Sequence, residues 1–95
     1  MSVTAQPKSR SRVRLVIEAD RCVEMLPRVL GIISQQALIP AGMSLHGLGG
    51  SLSLTLILDD LDEHLAGLVI GRIRRVISIR SVSLVPIEAA IALRN

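Results

Sequence analysis

The sequence contains no phenylalanine, tyrosine or tryptophan. Small sheet domains that bind RNA depend on aromatic side chains that stack on the bases, so this chain lacks the main source of specific nucleic-acid affinity. Cys22 is the only cysteine, which excludes an internal disulfide and a zinc site made of cysteine ligands. Because a small secreted domain normally carries several cysteines, we expect a cytoplasmic protein.

Long hydrophobic runs are also missing, although 49% of the residues are hydrophobic and the mean hydropathy is +0.54. No run approaches the roughly 20 residues that cross a bilayer. Residues 1–11 lack the apolar stretch of a secretory signal, so we expect no membrane association. A chain of 95 residues with this apolar content has more apolar surface than one small core buries, and such surface commonly forms an interface. We therefore expect self-association.

Residues that perform chemistry are few and scattered. His46 and His64 have no Cys or His at metal-ligand spacing and lie in no nucleophile motif, which argues against a metal site and against Ser-His catalysis. The run Gly47-Leu48-Gly49-Gly50 lacks the Lys-Ser or Lys-Thr of a phosphate-binding loop and joins two strands, so it is typical of a hairpin turn. We expect a protein that is not an enzyme and that holds no cofactor or metal.

What the sequence does contain is a regular succession of apolar spacings. Alternating apolar residues, which predict strands, occur over Arg12–Ala19, Ala41–Leu45, Leu52–Leu58 and Arg80–Val85. Two segments with helical spacing lie after the first and third of these strands. The order predicts an α+β fold of the ferredoxin-like βαββαβ type, in which a four-stranded antiparallel sheet carries two helices on one face.

The helix bounds follow from local signals. Pro27 is tolerated only in a first turn, which places the first helix from near Glu24 to near Gln36. Acidic residues before and arginines after the second helix place it at about Asp62 to Arg75. The side chains predicted to face the core are Leu26, Val29, Leu30 and Ile33 in the first helix, Leu65, Leu68, Val69, Ile73 and Val76 in the second, Ala41, Met43 and Leu45 in the second strand, and Val82 and Leu84 in the last strand.

The two ends of the chain differ from the domain predicted over residues 12–86. Residues 1–11 are predicted to be a disordered basic leader, because their polar residues bury too little surface to order themselves; a nucleic-acid-binding arm is the functional alternative. Residues 87–95 are predicted to be a short helix or a tail. The helix-free face of the sheet, where Ser and Thr alternate with Val16, Ile57 and Val85, is either solvated or covered by another domain.

Two runs resemble a known family. The first helix carries LPRVLGIISQQ over Leu26–Gln36, and the second ends in RRVISIRSV over Arg74–Val82. These runs are similar to those of ACT domains in the small regulatory subunit of acetolactate synthase, whose first-helix pattern is close to L-x-R-V-x-G-L-F-x-x-R-G. The likeness extends from about Val13 to Val85 and matches the short version of that subunit, which has a single ACT domain.

The resemblance implies a non-catalytic subunit that binds and activates the thiamine-diphosphate-dependent catalytic subunit of acetolactate synthase in branched-chain amino-acid biosynthesis. It implies a homodimer formed by side-by-side pairing of ACT domains, with Leu38, Ile39, Pro40, Ala41 and Gly42 at or near the seam. A branched-chain amino acid would bind at the loop made of Asp20, Arg21, Cys22, Val23, Glu24 and Met25.

The sequence departs from the family pattern at two positions. Glu24 stands where amino-acid-binding members commonly have glycine, and its carboxylate would repel the carboxylate of a ligand. We therefore expect weak or no valine feedback. The chain also has Gln36-Ala37-Leu38 where the family tends to have a glycine after the first helix. A free-standing ACT-type amino-acid sensor is the alternative function, and a nucleic-acid-binding module of the same fold is a third, which the missing aromatic residues disfavour.

Overall fold

The computed structural model describes residues 12–87. The elements are β1 (Arg12–Asp20), α1 (Met25–Gln35), β2 (Gly42–Leu48), β3 (Ser51–Asp59), α2 (Glu63–Ile73) and β4 (Ile79–Pro86). This order confirms the predicted βαββαβ fold. The predicted leader, residues 1–11, and the C-terminal segment beyond Ile87 lie outside the described residues.

The sheet has the strand order β2-β3-β1-β4, and all neighbouring strands are antiparallel. Leu15 in β1 lies opposite Leu56 of β3 and Leu84 of β4, so these three side chains share one face. Leu15 and Leu56 are fully buried in one cluster with Val29 of α1 and Val69 of α2. Both helices therefore cover the same face of the sheet, as predicted.

Each helix buries a narrower stripe than its sequence predicts. The buried residues are Met25, Val29 and Ile33 in α1, and Ala66, Val69 and Ile73 in α2. Leu68 of α2 was predicted to face the core but is exposed, while Leu26 and Leu30 of α1 are only half-buried. The reason is that only one side of each helix contacts the sheet, and residues on its flanks keep part of their surface in solvent.

The prediction that Ala41, Met43 and Leu45 face the core is wrong in part. Met43 and Leu45 lie opposite Leu56 and Leu54 of β3, so they do point to the helix-covered side. They nevertheless remain 53% and 43% exposed, and Ala41 is exposed as well. These side chains stay exposed because β2 is an edge strand and has a neighbouring strand on one side only.

Leu84 shows the same effect on β4, the opposite edge. It was predicted to face the core together with Val82, and its pairing with Leu15 places it on the core side. Val82 is buried, whereas Leu84 is 38% exposed. Side-chain alternation thus predicts the face of a strand correctly, and the depth of burial depends on what covers that face.

Backbone turns set the bounds of β2. Gly49 and Gly50 form the two-residue turn between β2 and β3, with Gly49 at φ +62. Glycine at the first central position is typical of one of the two favoured hairpin turns, which confirms the predicted hairpin. The predicted turn is nevertheless too long, because Gly47 and Leu48 are paired residues of β2. At the other end, Ala37 adopts φ +60 directly after α1. The Leu38 N–H donates to the Ile33 carbonyl and the Ala37 N–H to the Ser34 carbonyl, which is the Schellman arrangement that ends many helices.

Candidate functional site

A small pocket lies between the first turn of α1 and the connection from α2 to β4. Its volume is about 100 Å³, which exceeds the space that one water molecule needs and is well below the size of a drug-binding pocket. The residues that line it are Cys22, Glu24, Met25, Arg28, Val76, Ile77 and Ser78. The pocket therefore has room for a small polar fragment beside apolar side chains.

The six residues of the predicted ligand loop lie in different surroundings. Asp20 ends β1, and its carboxylate pairs with the Arg80 guanidinium at 3.4 Å. Arg21 turns to the hairpin, where its Nε donates to the Gly49 carbonyl oxygen at 2.9 Å. Val23 is 93% exposed and lines no part of the pocket. Of the six predicted loop residues, the pocket brings together the remaining three, Cys22, Glu24 and Met25.

Glu24 is the residue immediately before α1, but its side chain does not cap the helix. Its carboxylate instead pairs with the Arg28 guanidinium at 3.2 Å, one helical turn later. Both side chains are about two-thirds exposed, at 65% and 64%, so the pair contributes only a few tenths of a kcal/mol. A ligand carboxylate would meet this pair as a whole, and the pair carries no net positive charge to attract it.

Ser78 forms the inner side of the pocket. Its backbone has φ +85, a left-handed conformation that L-residues rarely adopt, and its carbonyl oxygen accepts a hydrogen bond from the Asp20 N–H at 2.8 Å. Its Oγ is buried and has no hydrogen-bond partner among the described residues. Leaving a buried hydroxyl unsatisfied costs about 1–3 kcal/mol, so the Ser78 side chain lowers the stability of the domain.

Sequence reasoning missed Arg28, Val76, Ile77 and Ser78 as members of this pocket. Arg28 was considered only as part of the family motif in α1. Val76, Ile77 and Ser78 were considered only as part of the second family motif, with Val76 also assigned to the buried stripe of α2. The sequence gives no local signal that Ser78 adopts a positive φ, because glycine and asparagine are the residues that normally mark such positions. Their grouping with Cys22 arises from the pairing of β1 with β4, which places Asp20 beside Ser78.

Charged groups away from the pocket have structural roles. Arg12 and Asp59 lie directly opposite in β1 and β3, and the Arg12 Nε donates to Asp59 Oδ1 at 2.6 Å. This hydrogen bond and the attraction between the charges raise the pKa of Arg12. A raised pKa means that the stabilisation is present at neutral pH and disappears only as the pH rises into the strongly alkaline range. Within residues 12–87, no three His, Cys, Asp or Glu side chains are grouped to bind a metal.

The second candidate surface is the β2 edge, which we define as Ile39, Met43 and Leu45 with the adjoining Leu26 and Leu30 of α1. Arg28 shares the pocket with residues of the α2–β4 connection, so its side of α1 faces α2, and Leu26 and Leu30 lie on the opposite flank. Ile39 is 86% exposed. The β2 edge is therefore an apolar strip beside an open strand.

The structure places the predicted seam residues along this edge. Leu38 is half-buried against the core, and Ile39 and Pro40 lead from it to β2. The Ala41 N–H donates to the Ile57 carbonyl at 2.7 Å, which anchors the start of the strand. Gly42 is packed closely, because a Cβ there would lie 3.2 Å from Ile57 Cγ1.

A comparison with protein families identifies the class of protein. A family described as ACT-like domain matches residues 4–91, and the chain belongs to this family. No curated protein matches the chain. The chain is thus an ACT-like regulatory module, and its fold agrees with that assignment. No helix of residues 12–87 has both the length and the apolar character needed to span a membrane.

Solved structures with this fold include ACT domains of larger proteins. The ACT domain of GTP pyrophosphokinase from Chlorobium tepidum superposes with a TM-score of 0.71 and 14% identity over 80% of this chain and 99% of that one. A homoserine dehydrogenase from Thiobacillus denitrificans gives a TM-score of 0.70 and 17% identity, covering 83% of this chain and 18% of that one. Aspartate kinase from Clostridium acetobutylicum, described as an allosteric enzyme, gives 0.60 and 17% identity over 81% and 18% of the two chains.

Proposed function

We propose that this chain is a non-catalytic, cytoplasmic regulatory subunit that binds and activates the catalytic subunit of acetolactate synthase. The observation that carries the proposal is the run LPRVLGIISQQ, which resembles the first-helix motif of that subunit and occupies α1 and its C-cap. Membership in the ACT-like family supports the regulatory part of the proposal. The acetolactate synthase part depends on the motif.

The regulatory unit is a homodimer paired through the β2 edge. Open backbone groups of β2 can hydrogen-bond to β2 of a second copy and extend the sheet, while Ile39 and Met43, 86% and 53% exposed, are covered by the pairing. The dimer activates by binding more tightly to the active conformation of the catalytic subunit than to its other conformations. Chemistry stays with the catalytic subunit.

Valine has little effect on this regulation. The carboxylate of Glu24 lies at the predicted ligand position and forms an ion pair with the neighbouring guanidinium of Arg28. A ligand carboxylate therefore finds no free positive group at this turn of α1.

Reconstitution of the two subunits tests the proposal. Adding the chain to the catalytic subunit should raise the rate of acetolactate formation several-fold, and millimolar valine should leave the raised rate unchanged. Arg14→Ala, which alters an exposed side chain on the helix-free face, is the matched control and should activate fully. An unchanged rate would contradict the partnership, whereas clear inhibition by valine would contradict only the predicted lack of feedback.

A free-standing amino-acid sensor is the second candidate, and the pocket beside Cys22, Glu24 and Met25 of the predicted ligand loop favours it. In that case the chain alone binds an amino acid. Calorimetric titration of the isolated chain with the twenty amino acids distinguishes the two functions. Binding by the isolated chain, independent of any partner, would favour the sensor.

A further inference from the structure

The exposed side of α2 carries a groove that the core and the β2 edge do not use. Its volume is about 350 Å³, and it is lined by Gly67, Leu68, Gly71, Arg72 and Arg75. All five residues are exposed, including Leu68, which the sequence places on the core side. We call the surface formed by these residues and Glu63 the α2 face. Glu63 belongs to it because it lies one helical turn before Gly67.

The charges of the α2 face are separated along the helix. Glu63 lies at its beginning, and Arg72 and Arg75 lie at its end. In the described part of the chain, the side chains of these three residues form no ion pair. A negative charge at the start of a helix and positive charges at its end interact favourably with the helix dipole. The dipole does not explain why these charges lie on the same side of α2 as the groove.

The two glycines of the α2 face pack against nothing within residues 12–87. A Cβ at Gly67 or Gly71 would meet no atom of these residues within 4 Å, and neither glycine has a positive φ. Glycine is a poor helix former, so both positions weaken α2 without any benefit from packing or turn geometry in the described part of the chain. Glycines on an exposed helix permit close approach of another backbone, which would explain why larger residues are absent.

We propose that the α2 face binds the α2 face of a second copy of this chain in an antiparallel arrangement. Glu63, Gly67, Gly71 and Arg75 follow one another at intervals of four residues, with Arg75 just beyond the helix end. A two-fold axis between Gly67 and Gly71 places Glu63 of each copy opposite Arg75 of the other, so the face is complementary to itself. Leu68 is covered at the same time.

This contact is separate from the β2 edge and does not depend on the proposed enzyme partner. Helix α1 lies between α2 and the β2 side of the molecule, so the two surfaces can be occupied together. Where the β2 edge forms a dimer, the α2 face joins two dimers into a tetramer. Where it does not, the α2 face alone forms a dimer.

A charge exchange tests the proposal. Glu63→Arg and Arg75→Glu each bring like charges together in the antiparallel pair, so each variant alone should have roughly half the mass of the unmodified protein by light scattering. An equimolar mixture of the two variants restores opposite charges at both ends and should regain the original mass. Circular dichroism checks that each variant is folded.

Two further variants make the test specific. Gly71→Leu improves helix propensity but blocks close approach, so it should halve the mass while circular dichroism shows a folded protein. Arg14→Glu reverses a charge on the helix-free face of the sheet and should keep the original mass. Retention of the original mass by both charge variants would overturn the proposal and leave the α2 face to a different partner. A mixture that fails to regain the mass lost by the single variants would overturn it equally.

Discussion

Within residues 12–87, three non-glycine residues adopt a positive φ, and two of them adjoin the candidate surfaces. Ala37 at φ +60 connects α1 to the β2 edge, and Ser78 at φ +85 lies beside the pocket. The third, Asp60 at φ +58, is of a type that tolerates this conformation. The Schellman hydrogen bonds and the pairing of Ser78 with Asp20 hold the first two in place. At Ala37 and at Ser78, substitution with glycine therefore measures the energetic cost of the positive φ.

Ala37→Gly is expected to raise the free energy of unfolding by about 1 kcal/mol. The left-handed conformation costs an L-residue about 1–2 kcal/mol, and the greater freedom of glycine in the unfolded chain offsets part of that gain. Urea denaturation measures the difference. Gln36→Gly is the matched control, since Gln36 has φ −96 and gains nothing from glycine. Equal stability of Ala37→Gly and Gln36→Gly would show that position 37 is not strained.

Two substitutions at Ser78 distinguish the cost of backbone strain from the cost of an unsatisfied hydroxyl. Ser78→Ala removes the buried Oγ and keeps the positive φ, so it should stabilise the domain by about 1 kcal/mol. Ser78→Gly relieves the backbone as well and should stabilise it further, by about 2 kcal/mol in total. Thermal unfolding of the two variants, followed by circular dichroism, ranks them. A loss of stability in Ser78→Ala would mean that the hydroxyl already has a partner in solution.

At the scale of elements, a single side chain connects the β1–α1 loop to the β2–β3 hairpin. Arg21 donates from Nε to the Gly49 carbonyl, and its backbone N–H donates to the Gly50 carbonyl at 2.8 Å. Gly47 leaves room for the guanidinium, because a Cβ there would lie 2.5 Å from an Arg21 nitrogen. The hairpin, which ends the edge strand β2, is thus held by a residue that the family resemblance assigns to a ligand loop.

Arg21→Ala should therefore loosen the hairpin more than the rest of the domain. The loss of one side-chain hydrogen bond to the backbone is expected to cost about 1 kcal/mol. Hydrogen exchange should become faster for amides of β2 and the adjoining turn, and should change little for the central strand β1. Arg14→Ala removes an arginine from β1 itself and serves as the control. Uniformly faster exchange in both variants would show that the Arg21 hydrogen bond to Gly49 does not stabilise the hairpin locally.

At the scale of the whole molecule, the exposed apolar side chains of β2 divide between the two faces of the sheet. Met43 lies on the helix side, and the exposed Ile39 precedes it in the chain, whereas Leu48, 84% exposed, lies at the far end of the same strand and points to the other face. The expected side-by-side dimer covers the first two and leaves Leu48 in solvent. This difference supplies a matched pair of substitutions.

Met43→Glu should abolish pairing through the β2 edge, because a buried carboxylate without a partner is costly at an apolar interface. Leu48→Glu adds the same charge to the same strand and should leave pairing intact. Sedimentation velocity measures the mass of each variant at micromolar concentration. Equal masses for the two variants would place the interface elsewhere.

The sequence by itself determined the order of strands and helices, the face of each strand, and the bounds of each element to within two residues except the end of β2, which lies at Leu48 and was predicted at Leu45. These features depend on local periodicity and on turn chemistry, such as alternating leucines in β3 and the glycines after Leu48, so they are readable along the chain. The depth of burial of Met43, Leu68 and Leu84 was decided only by tertiary structure, since it depends on what lies beside an edge strand or a helix flank. The same holds for the pocket, because Cys22 and Ser78 are distant in sequence and come together only when β1 pairs with β4.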